Sequence, residues 1–242
     1  MKIEPRYIAE TASTNSWMTA HDDGIRDMAV WTDYQTAGRG CGTNTWESQR
    51  GMNLLFSILI HPLSVPATSQ FILSMANALA LRDALADYAD DIMIKWPNDI
   101  YWRDKKMAGT LIETSLSGSD IKSCIIGTGL NVNQTDFRSD APNPVSLRQM
   151  LGHEVCREEV LQKVLQRFAH YMDQVNRGAW LPIRTRYRSW LYRRGEAHRY
   201  RFADGSVEEC RLLDVDDDGH LLLRRAGGDI SRLAFKEVAF II

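Results

Sequence analysis

Apolar positions along the chain fall into two periodic regimes, and the change between them divides the sequence. In residues 158–175 the apolar side chains are Val160, Leu161, Val164, Leu165, Phe168, Tyr171, Met172 and Val175. Steps of one, three and four place them on one face of an amphipathic helix. Residues 67–89 are rich in Ala and Leu and contain no Gly or Pro, which suits a largely buried helix. Shorter runs read as strands: "RYIAE", "MAVWTDYQ" and the continuous apolar "NLLFSILI". "STNSWMTAH" between the first two predicts a short helix with Ser13 or Thr14 as its N-cap. "DIMIKWPNDIYW" predicts two strands broken at Pro97, and "KMAGTLIETSL" and "IKSCIIGTGLNVN" a hairpin pair around "SGSD".

From about Gly195 the period becomes two. "HRYRFA", "VEECRLLDV", "HLLLRR", "SRLAF" and "VAFII" are short strands separated by "DGS", "DDDG" and "AGGD". This predicts a small all-β, barrel-like module of roughly 45–50 residues.

The bulk numbers narrow the class. A chain of 242 residues that is 44% hydrophobic makes one large domain, or one domain with a small appendage. It can bury roughly 70–75% of its unfolded surface and so folds without disulfides. A net charge of −2 argues against a general nucleic-acid binder. Cys41, Cys124, Cys156 and Cys210 lie far apart, with no Cys-x-x-Cys pair and no His-x-x-x-His pair, which argues against zinc and for a reduced, cytoplasmic setting. The N-terminal "MKIEPRYIAE" has no apolar core of signal-peptide length, and "NLLFSILI" is far too short to span a membrane.

Several stretches could carry chemistry. "GRGCGTNTW", residues 38–46, has glycines that let backbone N–H groups approach an anion, Arg39 as a forked cation and Trp46 as a flat apolar face. The plain alternative is a surface loop ending in a core tryptophan. "KWPND" offers Asp99 to a magnesium ion and Asn98 to a phosphate or ribose, or is a strand end followed by a turn. Lys106 with Gly109 allows a ligand close to the backbone, or Lys105 and Lys106 are solvated edge-strand lysines. Gly127 and Gly129 before Asn131 and Asn133 make a pocket floor or a glycine bulge. "DVDDDGH" resembles a calcium loop only superficially, since Arg225 stands where the glutamate belongs, so it reads as a hairpin turn. The run from Arg184 to Arg201, with interleaved Trp190, Leu191 and Tyr192, reads first as the solvated face of a helix and second as a dock for an acidic partner.

Taken in order, "STN", "QTAGRG", "WES" with "GMNL", "KWPND", "KMAG" and "GTGLNVN" resemble the biotin protein ligases over roughly residues 5–135. The resemblance implies an α+β fold: a mixed sheet flanked by helices over residues 1–194, then an SH3-like β barrel over residues 195–242. It also implies a short form without the DNA-binding segment that many members carry in front. It implies ATP-dependent activation of biotin as biotinyl-AMP, with Mg²⁺, and transfer to a lysine of a biotin carboxyl-carrier protein. Neither nucleic acid nor membrane is an expected partner, and the expected state is a monomer or weak homodimer. The competing readings are a lipoate-type protein ligase and a non-catalytic biotin-binding protein.

The same resemblance assigns roles. Arg39 and Lys106 would offset negative charge where carboxylate meets phosphate, with Mg²⁺ near Asp99. Ser13, Thr14, Asn15 and Gln35 would bond the ureido ring. Gly38, Gly40, Cys41, Gly109 and Gly127 would complete the biotin site. Trp46, Asn98 and Asn131 would serve ATP or the adenylate together with Arg39 and Gly40. The family often reads G-R-G-R in this loop, and here Cys41 replaces the second arginine. A thiol in place of a guanidinium should hold the intermediate less firmly.

Overall fold

The computed structural model describes residues 3–62, 65–139 and 143–242. The predicted strands appear as β1 (Pro5–Thr11), β2 (Met28–Gln35), β3 (Leu54–Ile60), β4 (Ile92–Lys95), β5 (Asp99–Trp102), β6 (Lys105–Ser117) and β7 (Asp120–Leu130). They form one seven-stranded sheet in the order β1-β2-β3-β7-β6-β5-β4. Only β1 and β2 run parallel; the other pairings are antiparallel, so the sheet is mixed.

Strand alternation gives this sheet two different faces. In β3, Leu54, Phe56, Ile58 and Ile60 join the main core, as do Cys124, Ile126 and Leu130 of β7. Helix α2 (Phe71–Leu85) covers that face. It is apolar nearly all round because α4 (Arg157–Asn176) and α5 (Trp180–Ser189) pack against it in turn. All eight apolar residues that predicted the amphipathic helix are buried on α4. The opposite face carries α1 (Thr14–His21), whose Met18 packs with Val30, Leu59 and Ile125. Ser13 is the N-cap of α1, but its side chain makes no capping hydrogen bond. A further helix, α3 (Leu147–Leu151), begins in a capping box formed by Ser146 and Gln149, a signal that the apolar pattern alone did not expose.

The C-terminal strands are β8 (Ala197–Phe202), β9 (Val207–Val215), β10 (Leu221–Arg225), β11 (Ile230–Leu233) and β12 (Val238–Phe240), in a five-stranded sheet ordered β11-β10-β9-β8-β12. "DVDDDGH" forms the end of β9 and the turn into β10. Asp216 accepts the backbone N–H groups of Asp218 and His220, and Arg232 pairs with both Asp216 and Asp218. Although Asp216, Asp218 and His220 lie close together, the cluster's charge is already answered from within the module.

The arginine run corrects an expectation. It is not one face of a helix: α5 ends at Ser189, and residues 190–192 run alongside the edge of β4. The Ile94 N–H donates to the Trp190 carbonyl, and the Tyr192 N–H to the Ile94 carbonyl. Capping an exposed sheet edge removes a surface on which foreign strands could pair. Nor are the arginines simply solvated. Arg186 pairs with Asp83, Arg184 and Arg188 with Asp217, and Arg194 with Asp214. The aspartates at 214 and 217 belong to the C-terminal module, so these pairs bind it to α5, through Arg184 and Arg188, and to the segment after it, through Arg194. Trp96 adds a bond from its indole N–H to the Gly219 carbonyl at 2.8 Å. Among the described residues no helix is long and apolar enough to cross a membrane.

Asp83 ties three helices together. From α2 it accepts hydrogen bonds from Tyr171 of α4, Arg186 of α5 and its neighbour Arg82. Desolvation would raise its pKa, but these donors outweigh burial and hold the carboxyl below the usual aspartate range. A depressed folded-state pKa stabilises the fold above the unfolded value, about 3.9, and the contribution disappears as pH falls through the folded value. Asp83→Asn should therefore cost about 2–3 kcal/mol at pH 7, with the deficit closing below about pH 4. Thermal unfolding of both proteins across that pH range checks this; a deficit independent of pH would mean the charge is not what matters.

Candidate functional site

The sheet face opposite α2 holds a cavity of about 710 Å³. Three aligned rows of strand residues lie on that face; Gly109, Leu111, Gly127 and Gly129 from them line the cavity, while Leu59 and Ile125 pack under α1. Leu55, Gly129 and Gly109 are paired across β3, β7 and β6, as are Ser57, Gly127 and Leu111, and then Leu59, Ile125 and Glu113. Three of these nine positions are glycine, and what each admits is specific. A Cβ on Gly127 would lie 2.1 Å from Asn15 Oδ1. A Cβ on Gly129 would lie 2.3 Å from Cε2 of Trp46, and one on Gly109 would lie 3.0 Å from its Cζ3. The glycines thus make flat ground on which an amide and an indole rest directly against backbone.

A polar cluster occupies the Gly127 end. The Ser57 hydroxyl lies 2.7 Å from Thr14 Oγ1 and 2.6 Å from Asn15 Oδ1. Gln35 Oε1 accepts from the Thr14 backbone N–H at 2.8 Å and lies 3.1 Å from its hydroxyl. Asn15 Nδ2 donates to Glu113 at 2.7 Å. Ser13, Thr14, Asn15 and Ser57 are all buried. Fixed donors and acceptors in a dry pocket recognise a small neutral polar group.

The loop of residues 38–46 closes the cavity as a small hairpin. Arg39 pairs with Thr45 as an isolated bridge, Gly40 N–H donates to the Asn44 carbonyl at 2.7 Å, and Trp46 N–H to the Gly38 carbonyl at 3.1 Å. Trp46 lies on the glycine floor, and its buried indole N–H has no hydrogen-bond partner among the described residues. The Lys106 ammonium lies 5.9 Å from the centroid of its ring.

Two ion pairs stand at the cavity. Lys106 Nζ lies 2.8 Å from Asp99, and Arg39 lies 3.1 Å from Glu113. The second pair is largely solvated, at 46% and 39% side-chain exposure, so it contributes little and exchanges readily for another anion. Burial pushes the Lys95 ammonium below the ordinary lysine range, with Asp99 opposing that shift.

Most of the residues singled out in the sequence come together here. Ser13, Thr14, Asn15, Gln35, Arg39, Gly40, Cys41, Trp46, Asn98, Asp99, Lys106, Gly109, Gly127 and Asn131 line this one cavity. Gly38 does not; it stands behind, where a Cβ would meet the Trp46 carbonyl at 2.9 Å. Asn98 is held by Ser74, at 3.2 Å, and Asn131 by the Lys106 carbonyl, at 3.4 Å. Sequence reasoning gave no place to Glu113, Ser57 or Phe235. Glu113 and Ser57 sit in strands whose neighbours looked like core, and Phe235 arrives from the C-terminal module. The period-two rule does mark Ser57 as lying on the face opposite Phe56.

Known proteins are similar to this chain in sequence and fold. A family model described as the biotin/lipoate A/B protein ligase family matches residues 11–131. The chain is similar to a biotin–[acetyl-CoA-carboxylase] ligase of Paracoccus denitrificans, 32% identical over 91% of this chain and 94% of that protein. It is also similar to the bifunctional ligase/repressor BirA of Bacillus subtilis, at 33% identity over 86% of this chain; there it spans 65% of the relative's length. Among solved structures, a biotin protein ligase from Aquifex aeolicus in complex with biotin and ATP superposes with a TM-score of 0.81 at 25% identity, covering 98% of both chains.

The glycine floor can be tested directly. Gly127→Ala should expel the Asn15 amide from its bonds to Ser57 and Glu113 and destabilise the fold by about 1–3 kcal/mol. Gly227→Ala, in a turn with nothing within 4 Å of the added carbon, is the control and should be neutral. Equal melting temperatures for the two variants would show that Gly127 does not serve this contact.

Proposed function

The chain belongs to the biotin/lipoate A/B protein ligase family, and from that premise we propose that it joins biotin to ATP and passes the biotinyl group to a lysine of a biotin carboxyl-carrier protein. The observation that carries this reading is the order of groups along one cavity. A buried neutral polar cluster is followed by an indole on a glycine floor, then by an ammonium–carboxylate pair. That order suits a ligand with a polar neutral head, an apolar body and an anionic tail.

In the first step an oxygen of the biotin carboxylate attacks the α-phosphorus of ATP, and pyrophosphate leaves. Two anions must meet, so preorganised positive charge lowers the barrier. Lys106 sits beside the indole floor to provide it, and Arg39 can turn from its solvated Glu113 pair to the phosphate at small cost. The orphaned Trp46 indole N–H is a donor that a ligand oxygen would satisfy. The Gly40 and Gly42 backbone lets the hairpin lie close to the mixed anhydride and keep water from it. In the second step the acceptor lysine's amine attacks the acyl carbon, an amide forms, and AMP leaves.

The polar cluster favours a ureido ring over an apolar dithiolane, since Ser57, Thr14, Asn15 and Gln35 form a connected hydrogen-bond network. Asp99 fits a magnesium ion that arrives with the nucleotide. One of its oxygens is engaged by Lys106, and the other is a hard donor of the kind magnesium accepts alongside substrate phosphates. Bound there, the ion would lower the charge on the phosphates. We place the catalytic part in residues 1–194 and the barrel in residues 195–242. The four unbonded cysteines are in keeping with the cytoplasm.

The direct test is transfer of labelled biotin to a carrier domain with and without ATP, with lipoate as competitor; label transfer without ATP, or preference for lipoate, would overturn the reading. Lys106→Ala should lower pyrophosphate release at saturating ATP and biotin by about 10²–10³-fold. Arg39→Ala should lower it less, near tenfold, because its side chain is solvated. Near wild-type rates in both variants would sink the mechanism. At the fourth loop position, Cys41→Arg should slow release of radiolabelled biotinyl-AMP in the absence of acceptor, since a charged hydrogen bond replaces a thiol contact worth roughly 1–2 kcal/mol less. Equal or faster release would show that this side chain does not hold the intermediate.

A further inference from the structure

A single carboxylate oxygen joins the buried polar cluster to the loop that closes the cavity. Glu113 Oε2 accepts a hydrogen bond from Asn15 Nδ2 at 2.7 Å and another from Arg39 Nη2 at 3.1 Å. The two donors differ in freedom. Asn15 is buried, its Oδ1 accepts from Ser57 at 2.6 Å, and it rests against Gly127, where a Cβ would lie 2.1 Å from that oxygen. Arg39 belongs to the exposed hairpin and is 46% exposed itself. Because both bond one oxygen, the guanidinium stands beside the Asn15 amide, at the mouth of the polar cluster.

That is the wrong end of the cavity for phosphate chemistry. Glu113 follows Gly109 by four residues on β6, about 13 Å of extended strand. Lys106 Nζ lies against Gly109, where a Cβ would be 3.2 Å away, and it pairs with Asp99 at 2.8 Å. The resting structure thus holds its loop arginine apart from the ammonium with which it would act. A neutral ring bonded to Ser57, Thr14 and Asn15 needs the space over Asn15 that the guanidinium borders. Displacing the guanidinium costs little, because both partners of the ion pair are solvated.

We propose that Glu113 is a positioning residue: it parks Arg39 beside the polar cluster, and the ring of biotin, on seating there, evicts the guanidinium and frees it for the phosphate end. This rests on the ATP-dependent ligase reading above. Nucleotide arriving at the empty enzyme must break the Glu113 pair to engage Arg39. Nucleotide arriving after biotin meets an arginine already released, so the cation is delivered when the attacking carboxylate is in place.

Glu113→Gln removes the charge and keeps a carbonyl oxygen that the Asn15 amide can bond. The experiment is calorimetry on wild type and variant with two ligands, each alone and each in the presence of the other. The ligands are biotin and an ATP analogue with a methylene group between its α and β phosphorus atoms. The variant should bind either ligand alone more tightly by one common factor, about two- to fivefold, the range open to a solvated ion pair. Once biotin is bound, wild type and variant should bind the analogue equally, because the arginine is already free in both. The gain in nucleotide affinity that biotin confers therefore shrinks by the same factor. In an Arg39→Ala background the substitution should leave biotin affinity unchanged. Equal tightening of the analogue with and without biotin overturns the inference, since it reports only a negative charge lost near phosphate. Unchanged biotin affinity in the variant overturns it, and so does weaker affinity, which would mean that Glu113 serves only to hold Asn15. A protein that binds biotin but no nucleotide sinks the ligase reading alone, because the biotin titrations still decide whether Arg39 is parked. A protein that binds neither sinks both.

Discussion

The structure depends on one constraint: a strand presents alternate residues to opposite faces, and here the two faces of a single sheet are put to different uses. Along β3 and β7 one set of alternate residues builds the core under α2, and the other set packs under α1 and, at Gly127 and Gly129, lines the cavity. On the cavity side, glycine replaces bulk at three paired positions so that Asn15 and Trp46 can lie on the backbone itself. A one-residue slip in the pairing of β6 and β7 would put Ile126 where Gly127 stands and close the site. Site and core are therefore specified by the same register. Deep burial on the core side is what keeps that register from slipping.

Electrostatics follows from this geometry. The cavity is buried at the Asn15 end and open at the Arg39 end, and the polar groups are graded to match. Buried amides and hydroxyls satisfy one another, the Lys106–Asp99 pair is half-buried, and the Arg39–Glu113 pair is solvated. Interactions near the solvated end are weak and exchangeable, which suits groups that must change partner when a charged ligand arrives. Those at the buried end are costly to leave unpaired, which suits recognition of a neutral group.

The C-terminal module is attached by the chain's conspicuous arginine run. Arg184 and Arg188 grip Asp217, Arg194 reaches Asp214, and the indole of Trp96 bonds Gly219, a glycine whose added Cβ would strike Phe71 of α2 at 2.6 Å. Trp96 belongs to the same "KWPND" segment that brings Asn98 and Asp99 into the cavity. The segment thus joins the site to the module, and Phe235 rests on it from the other side. The residue that contacts the module, Trp96, stands three positions before Asp99 in the chain.

Periodicity in the sequence was enough to define the elements. The eight apolar residues of α4, the limits of β2, the strand break at Pro97 and the change to a five-stranded module near residue 195 follow from local spacing, because burial on one face imposes a period that survives in a single sequence. Motif order likewise brought the loop, "KWPND", "KMAG" and the paired glycines to one place. What it could not give is which groups answer each other across long stretches of chain: Glu113 for Arg39 and Asn15, Ser57 for Asn15, Asp83 for Tyr171 and Arg186, and Lys236 for the glycine loop. Those pairings leave no local period. An arginine run looks the same in sequence whether it faces water or grips aspartates on a second sheet, and a glycine looks the same whether it bends a strand or makes room for an indole. Local pattern records which face a residue takes, whereas its partner there is set only when distant segments pack.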